Sequence, residues 1–403
     1  KNNSDLSISG IYKLNKSSEF TSYTIKSNFK KSISDLVLSF DIKDDISVDV
    51  INYKKSNNVT ANLKAKIKFN KKNINIKSLN YVQKKNLILL NSVVLDEKYR
   101  LKKFNNIKVI TNNNNVENNN FEIIYGKKLN VKGDKFDSTN LFKQFNKKNK
   151  NNFLNNFNKE IKVDLKKIMT KLSIPIDNFI LLGKIENGKL VKISSKSEFA
   201  SDKFLDISLK TDPVSQKKTI EIFSDLPRPI LADYKVFKGI QGGKLLFTST
   251  YDDENSESNL LIENFKIINA PGFAKLLTLA DFGGVADLLS GEGISFDTLE
   301  IKFDGNKEKT DVKELYSVGP SISILMDGFI EKKSGLVSFR GTMIPAKELN
   351  KLISKIPILG NILIGKELGE GIFGVSFKIK GLPGKTKTTV NPIKTLTPRF
   401  ITR

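Results

Sequence analysis

The side chains that could carry chemistry in this 403-residue sequence are carboxylates and lysines, because the chain contains no His and no Cys. Without His, neither a Ser-His-Asp triad nor the commonest metal ligand is available. Without Cys, thiolate nucleophiles, disulfides and sulfur-based metal centres are excluded. What remains is catalysis by carboxylate or lysine, or no catalysis at all.

An acidic cluster and two glycine-rich stretches come nearest to a recognisable site. Residues 252–254 and Glu257 could hold Ca²⁺, but they lack the glycine and the spacing of a calcium loop. The glycines within 291–293 and 365–374 do not have the spacing of a phosphate-binding loop. We therefore interpret these segments as turns between strands. We predict no metal and no cofactor, and we expect that the protein is not an enzyme.

The chain is strongly basic, and the charge is concentrated in its first half. Lys and Arg number 67 against 43 Asp and Glu, a net charge of +24. Residues 1–200 hold 39 basic and 18 acidic residues, whereas 201–403 hold 28 and 25. The abundance of Lys, Asn, Ile and Phe is typical of an AT-rich genome and accounts for most of this charge. Lysine in place of arginine, with no aromatic residue among the lysines of 60–68, argues against a nucleic-acid partner.

The elements that would position these side chains are mainly β-strands. Over 59–69, six apolar residues alternate with five polar ones, so one face of the strand is apolar and the other is polar. Similar segments, joined by short polar connections, predict a meander of antiparallel strands. In the first half these segments lie at 36–42, 46–50, 74–79, 87–95, 107–110 and 121–131.

Asparagine and glycine mark the expected turns and loops. The dipeptides Asn187-Gly188 and Gly242-Gly243 predict tight turns between strands. The run Asn112–Asn115, together with Asn118–Asn120, predicts a loop.

Three segments favour helix. In 139–172, apolar residues recur at spacings near three and four, which predicts one or two amphipathic helices. Residues 273–289 are apolar with few charges, and Pro271 and Gly291 suit a helix start and stop. A third short helix is predicted at 346–354.

The break in the strand pattern divides the chain into three predicted regions. They are a β-rich segment over 1–138, a helical linker over 139–172 and a C-terminal β-region with short helices over 173–403. No stretch reaches the roughly 18 apolar residues of a membrane-spanning helix. The first residue is not Met, so we interpret the sequence as a piece of a longer protein.

Two features have two interpretations each from the residues alone. The apolar stripe of 59–69 is either the core face of a packed sheet or a surface that contacts an apolar ligand. The apolar segment 273–289 is either a helix that covers a sheet or a helix that lies at a membrane.

Several motifs, in order along the second half, resemble the AsmA-like superfamily, specifically the C-terminal region of its YhdP-type branch in Gram-negative bacteria. The match covers roughly residues 238–400. The segments that carry it are Lys238–Leu245, Asn269–Ala280, Gly283–Phe296 (GGVADLLSGEGISF), Gly319-Pro320, Asp327-Gly328, Gly341-Thr342, Ile356–Gly360 and Asn391–Ile393 with Pro398-Arg399.

The resemblance implies an elongated, twisted antiparallel sheet curled into an apolar groove that carries phospholipid between the inner and outer membranes. It implies a periplasmic protein, anchored in the inner membrane through an N-terminal segment that this sequence does not include. An alternative is an outer-envelope assembly factor of the same fold without lipid cargo. A nucleic-acid-binding β-protein is a remote alternative. The protein partners, the lipid species and the direction of transfer are left open.

The resemblance favours the ligand-contacting interpretation of the apolar stripe and the membrane-proximal interpretation of the helix. The residues expected to line the lipid groove are Leu36, Leu38, Phe40, Ile42, Val59, Ala61, Leu63, Ala65, Ile67 and Phe69. The residues expected on the membrane-proximal helix are Phe273, Leu276, Leu277, Ala280, Val285, Leu288 and Leu289.

Overall fold

The computed structural model of the chain is mainly β, as predicted, with strands making up 69% and helices 6%. Its β-sheet structure is twisted, mixed in strand direction and not closed. The chain divides into two compact units, Lys1–Asp202 (unit 1) and Lys203–Arg403 (unit 2). The residues that the structure describes are 3–13, 19–30, 33–70, 73–141, 157–200, 202–234, 236–280, 292–345 and 374–393.

The described residues of unit 1 form fifteen strands, most of which follow the alternation of apolar and polar residues. Their bounds are β1 Asn3–Tyr12, β2 Thr21–Lys30, β3 Ile33–Ile42, β4 Ile46–Val48, β5 Tyr53–Lys55, β6 Ala61–Asn70, β7 Asn73–Gln83, β8 Asn86–Asp96, β9 Leu101–Lys103, β10 Asn106–Asn113, β11 Val116–Tyr125, β12 Leu129–Asp137, β13 Lys159–Met169, β14 Ile176–Glu186 and β15 Lys189–Phe199.

The strands of unit 1 pair mostly with their neighbours in sequence. The order is β1-β2-β3-β6-β7-β8-β10-β11-β12-β13-β14-β15, with β9 paired to the end of β8. Strands β4 and β5 form a separate two-stranded sheet, joined by a 3₁₀ turn over Asp49–Ile51. We call Ile46–Lys55 the capping hairpin.

One neighbouring pair departs from the predicted antiparallel meander. β12 and β13 are parallel, with Val131 opposite Val163. Parallel neighbours require a connection of a dozen or more residues, and the sequence between these strands, 138–158, is long enough. The sheet is therefore mixed rather than wholly antiparallel.

The helix predicted across 139–172 is wrong for its second half, because Lys159–Met169 forms strand β13. Ile161 and Leu165 fit a helical spacing, but with Val163 they also alternate with charged residues, and pairing on both sides of β13 selects the strand. Residues 142–156 and the helix predicted at 346–354 lie outside the described residues. The boundaries of the three predicted regions stay a prediction.

One of the predicted turns is confirmed, and two other turn and loop assignments are wrong. Asn187 and Gly188, both with positive φ, form the predicted turn between β14 and β15. Gly242-Gly243 instead lies within a strand, where a side chain on Gly243 would come within 2.9 Å of the Glu263 carbonyl oxygen. Asn118–Asn120 belongs to β11 rather than to a loop, because Asn119 and Asn120 pair with β10 and Asn120 also pairs with β12.

In unit 2 the described residues form ten strands that pair antiparallel in strict chain order. Their bounds are β16 Lys203–Thr211, β17 Lys218–Ser224, β18 Ile240–Tyr251, β19 Ser256–Ile267, β20 Ile294–Gly305, β21 Lys309–Val318, β22 Ile322–Glu331, β23 Val337–Pro345, β24 Gly374–Gly381 and β25 Lys387–Ile393.

Two short helices lie among the described residues of unit 2. Helix α1 spans Pro227–Asp233 and helix α2 spans Pro271–Leu279. Each has proline in its first turn, where the missing N–H has no partner to lose. The helix predicted at 273–289 therefore begins as expected, and residues 281–291 lie outside the described part of the chain.

Candidate functional site

The structure brings nine of the ten predicted groove-lining residues onto one face of two paired strands. Directly opposed residues direct their side chains to the same face of a sheet. Across β3 and β6 the opposed pairs are Leu36 with Ile67, Leu38 with Ala65, Phe40 with Leu63 and Ile42 with Ala61, and Phe69 lies opposite Ser34.

Val59, the tenth residue, does not belong to this face. Strand β6 begins at Ala61, and Val59 lies in the turn before it, where its N–H donates to the Ser56 carbonyl oxygen at 3.4 Å. The sequence pattern extends two residues too far, because turn geometry rather than alternation ends the strand.

The opposite face of the same strands is polar and basic. Lys64, Lys66 and Lys68 alternate with the apolar residues of β6, and Lys64 and Lys66 are exposed. Lys64 lies opposite Ser39 of β3. The two faces of β6 therefore differ sharply in polarity, and neighbouring positions provide matched probes of the two environments.

The apolar face continues across eleven strands of unit 1. Following the register from strand to strand gives one residue per strand, and all eleven are apolar; we call them the apolar row. They are Ile8, Ile25, Leu38, Ala65, Leu79, Leu90, Ile107, Ile123, Val131, Val163 and Leu181. At about 4.8 Å between strands, the row extends about 48 Å along the sheet.

The apolar row is only partly covered. Ala65 is buried and Ile8 is exposed, while the other nine side chains are half-buried. Side chains on the inner face of a two-layered sandwich would be largely buried. Unit 1 thus presents a long apolar surface that its described residues do not fully cover.

The capping hairpin covers one end of this face. Tyr53 is 1% exposed, and its ring contacts Tyr81 edge-on at 5.9 Å between centroids. The two hydroxyls share a hydrogen bond of 2.9 Å, and the Tyr53 hydroxyl donates to Gln83 at 3.2 Å. Tyr81 lies opposite Leu63 and so belongs to the apolar face. Burial raises the pKa of both tyrosines, so they stay neutral.

A buried asparagine fixes the hairpin to the sheet. The Asn119 amide donates to the Ile51 carbonyl oxygen and to the Thr111 hydroxyl, both at 2.7 Å. Its side-chain oxygen accepts the Asp137 N–H at 2.8 Å. The Asp137 carboxylate in turn accepts from the Asn52 amide at 2.8 Å. The sequence pattern does not identify these residues, since an asparagine run has the composition of a loop.

A buried lysine closes the base of the capping hairpin. Lys55 is 4% exposed, and its ammonium donates to the Asp44 carbonyl oxygen at 2.7 Å and to the Ser56 carbonyl oxygen at 3.2 Å. Burial lowers the pKa of Lys55, while Asp45 and Asp44 act in the opposite direction. These contacts hold the two ends of the hairpin together.

Aromatic rings strengthen the apolar face near its β1 edge. Tyr12 packs edge-on against Phe40 at 5.5 Å, and Tyr23 stacks on Phe40 at 6.0 Å between centroids. Gly10 lies opposite Tyr23, and a side chain there would meet the Tyr23 ring at 3.0 Å. Sequence reasoning identified Phe40 alone, although Tyr12 and Tyr23 also follow the two-residue period.

The other end of the apolar face is exposed. Leu6, Phe29 and Phe69 lie on this face at the opposite ends of their strands, and they are 47%, 43% and 37% exposed. We call this edge the open end. The face is therefore asymmetric, because one end carries the capping hairpin and the other exposes large apolar side chains.

Unit 2 has an equivalent row. Its residues are Ile207, Ile222, Phe247, Leu260, Ile301, Leu315, Met326, Gly341, Phe377 and Val390. A side chain on Gly341 would come within 2.5 Å of the Phe377 ring, so the ring occupies the space that glycine leaves free.

Helix α2 packs on the apolar face of unit 2. Leu276 is 5% exposed, Leu277 is fully buried, and the Phe273 ring lies 6.4 Å from Phe296. With Ala280 these residues join a core that includes Ile262. This is the arrangement of a helix that covers a sheet, so the membrane-proximal role stays a prediction. The remaining predicted helix residues, Val285, Leu288 and Leu289, lie outside the described residues.

The acidic cluster forms a turn. The Asp252 carboxylate accepts the N–H groups of Glu254 and Asn255, both at 2.8 Å, and these bonds lower its pKa. Within the described ranges no group of acidic residues is arranged to hold a metal ion. Among the described helices none is long and apolar enough to cross a membrane.

Comparisons of the chain with protein-family models, with curated proteins and with solved structures gave no match. The functional interpretation therefore rests on the geometry of the apolar face and on the sequence motifs.

Proposed function

We propose that the protein carries phospholipid, with the acyl chains on the apolar face of its sheet and the headgroups in water. The apolar row is the observation that carries this proposal. It offers one apolar side chain on each of eleven strands, and nine of these side chains are half-buried. An acyl chain bound on the row would shield these half-buried side chains from water.

The mechanism is passive. Removing methylene groups from water is favourable by about 0.8 kcal/mol each, so an acyl chain gains free energy wherever the surface is apolar. Because the row repeats a similar apolar environment from strand to strand, a chain can move along it without a large change in free energy. Shielding of this kind needs no catalytic residue.

The resemblance of residues 238–400 to the AsmA-like superfamily supports a cellular location for this transfer. On that basis the protein carries phospholipid between the inner and outer membranes of a Gram-negative envelope. It lies in the periplasm and is anchored in the inner membrane by a segment outside this sequence.

The part of the unit 2 face that helix α2 covers favours a second candidate, an envelope assembly factor of the same fold without lipid cargo. Leu277 and Ile262 are buried within the protein's own core and leave no apolar surface at that point. Mass spectrometry of lipids extracted from the purified chain separates the two functions. Co-purified phospholipid is expected for a carrier, and its absence favours the assembly factor.

Site-specific photo-crosslinking tests the carrier function directly. A photoreactive residue at Leu63 or Ile67 is expected to capture phospholipid, because both side chains lie on the apolar face. The matched controls are Lys64 and Lys66, which lie on the polar face of the same strand. Equal capture at the two pairs would contradict the proposal.

A further inference from the structure

The capping hairpin ends the accessible apolar face of unit 1 at one side, and this limits the length of an acyl chain that can lie on it. Resting on the proposed function, we infer that the Tyr53–Tyr81 pair is a stop that limits the acyl-chain length accepted on this face. The two rings meet edge-on at 5.9 Å where the capping hairpin lies on the apolar side of β7.

The distance from the open end to this stop matches one acyl chain. Along β6, Phe69 lies at the open end, and Leu63 lies opposite Tyr81. These positions are six residues apart, so the track is about 20 Å long at about 3.3 Å per residue. A bilayer has a hydrocarbon core of about 30 Å, so a chain of one leaflet extends about 15 Å. The track therefore holds one such chain and is too short for two chains end to end.

The stop is fixed rather than yielding. Tyr53 is 1% exposed and fully packed, and its hydroxyl is bonded to both Tyr81 and Gln83. The turn beside it is held by Asn119, which is fully buried and donates to the Ile51 carbonyl oxygen. A longer chain would have to displace the hairpin and leave these buried polar groups without partners, which is unfavourable.

The wall that the chain meets is also polar. Beyond the tyrosine rings lie their hydroxyls and the Gln83 amide, and the apolar residues there, Ile42 and Ala61, are already buried, so further methylene groups would gain little apolar contact. Affinity should therefore rise with chain length up to a limit and stop rising beyond it. The length selectivity comes from the two tyrosines, whereas apolar binding itself comes from the row.

The test measures the binding of saturated fatty acids, increasing by two methylenes at a time, to the full chain by displacement of a fluorescent fatty acid. The wild-type protein is expected to show a length beyond which affinity no longer rises. Tyr53→Ala is expected to move that limit to longer chains. The first fatty acid longer than the wild-type limit should bind to Tyr53→Ala about tenfold more tightly than to the wild-type protein, because two additional methylenes are buried.

Two further variants test whether the limit depends on the Tyr53 ring itself. Tyr53→Leu keeps apolar bulk under the hairpin and is expected to move the limit in the same direction by a smaller step. Tyr99→Ala is the control, since Tyr99 is 66% exposed in the turn between β8 and β9 and should change nothing. If both Tyr53 variants leave the chain-length limit unchanged, the inference that the tyrosine pair is a stop is overturned, while the carrier function stands. Failure of the wild-type protein to bind any fatty acid would overturn the carrier function, and the stop with it.

Discussion

The two units build similar apolar faces, each with a mostly half-buried row, and different elements pack on them. In unit 1 the capping hairpin covers one end of the described face. In unit 2, helix α2 packs on the sheet and its Leu277 is fully buried. The comparison teaches that strand alternation specifies an apolar face without specifying what covers it. The covering element decides whether that face is a core or a surface.

The covers also differ in how they are held. Helix α2 is held by apolar contacts, with Leu276 and Leu277 inserted among residues of the sheet. The capping hairpin is held largely by hydrogen bonds from Asn119 to Ile51, from Asn52 to Asp137 and from Tyr53 to Gln83. An apolar cover tolerates little loss of volume, whereas a hydrogen-bonded cover depends on each buried partner.

The largest expected effect tests the difference in cover directly. Leu277→Ala should lower the stability of unit 2 by about 2–5 kcal/mol, because it leaves a cavity in a packed core. The matched change Leu38→Ala removes a half-buried side chain from the open face of unit 1 and should cost less than about 1.5 kcal/mol. Urea unfolding followed by circular dichroism measures both. Equal losses would break the comparison.

The next effect concerns the hydrogen-bonded cover. Asn119→Ala should destabilise the docked hairpin by about 1–3 kcal/mol, because the Ile51 carbonyl oxygen loses a buried donor. Limited proteolysis should then cleave within 46–55 faster than in the wild-type protein. Asn80→Ala is the control, since Asn80 is exposed on the polar face. Unchanged cleavage in Asn119→Ala would show that the Asn119 hydrogen bond does not hold the hairpin.

The pH dependence of thermal stability tests the buried tyrosines under the capping hairpin. Burial raises the pKa of Tyr53 and Tyr81 above the ordinary tyrosine value of about 10. The folded state therefore favours the neutral form, and this contribution is complete below pH 10 and lost as the pH rises past it. Thermal unfolding should show a midpoint that falls above about pH 10, and Tyr81→Phe should reduce that fall. A midpoint that is equally pH-dependent in the variant would assign the effect to other groups.

The smallest effect is expected on the polar faces. Arg340 donates to Asp327 at 3.0 Å across β22 and β23, but the arginine is 69% exposed. Arg340→Ala should therefore cost less than about 1 kcal/mol. The same urea unfolding experiment measures it. A cost comparable to that of Leu277→Ala would show that this polar face contributes to stability as much as the apolar cover.

The sequence predicts the faces well because they depend on alternation alone. Leu38 and Ala65 each follow the two-residue period of their own strand, which predicts the apolar face, while their direct pairing is seen in the structure. The strand at Lys159–Met169 was missed because Ile161 and Leu165 fit a helical spacing as well, and only the pairing with β12 and β14 distinguishes the two.

The elements that cover the faces are much harder to predict. The alternation of 46–50 gives no sign that the hairpin leaves the sheet, because β4 pairs only with β5. Asn119 has the composition of a loop, and its burial depends on partners distant in sequence, Ile51 and Asp137. Long-range hydrogen bonds of this kind leave no local pattern.

The lysines of the polar face have a consequence for colloidal behaviour. Sheets stack face to face at about 10 Å, and the repulsion between exposed charges reaches about 10 Å at 0.1 M salt but only about 3 Å at 1 M. Unit 1 holds 39 basic and 19 acidic residues, with Lys64 and Lys66 exposed on the polar face of β6. In dilute salt these like charges keep the flat faces of two molecules apart. Concentrated salt removes that barrier and favours stacking of the protein into aggregates.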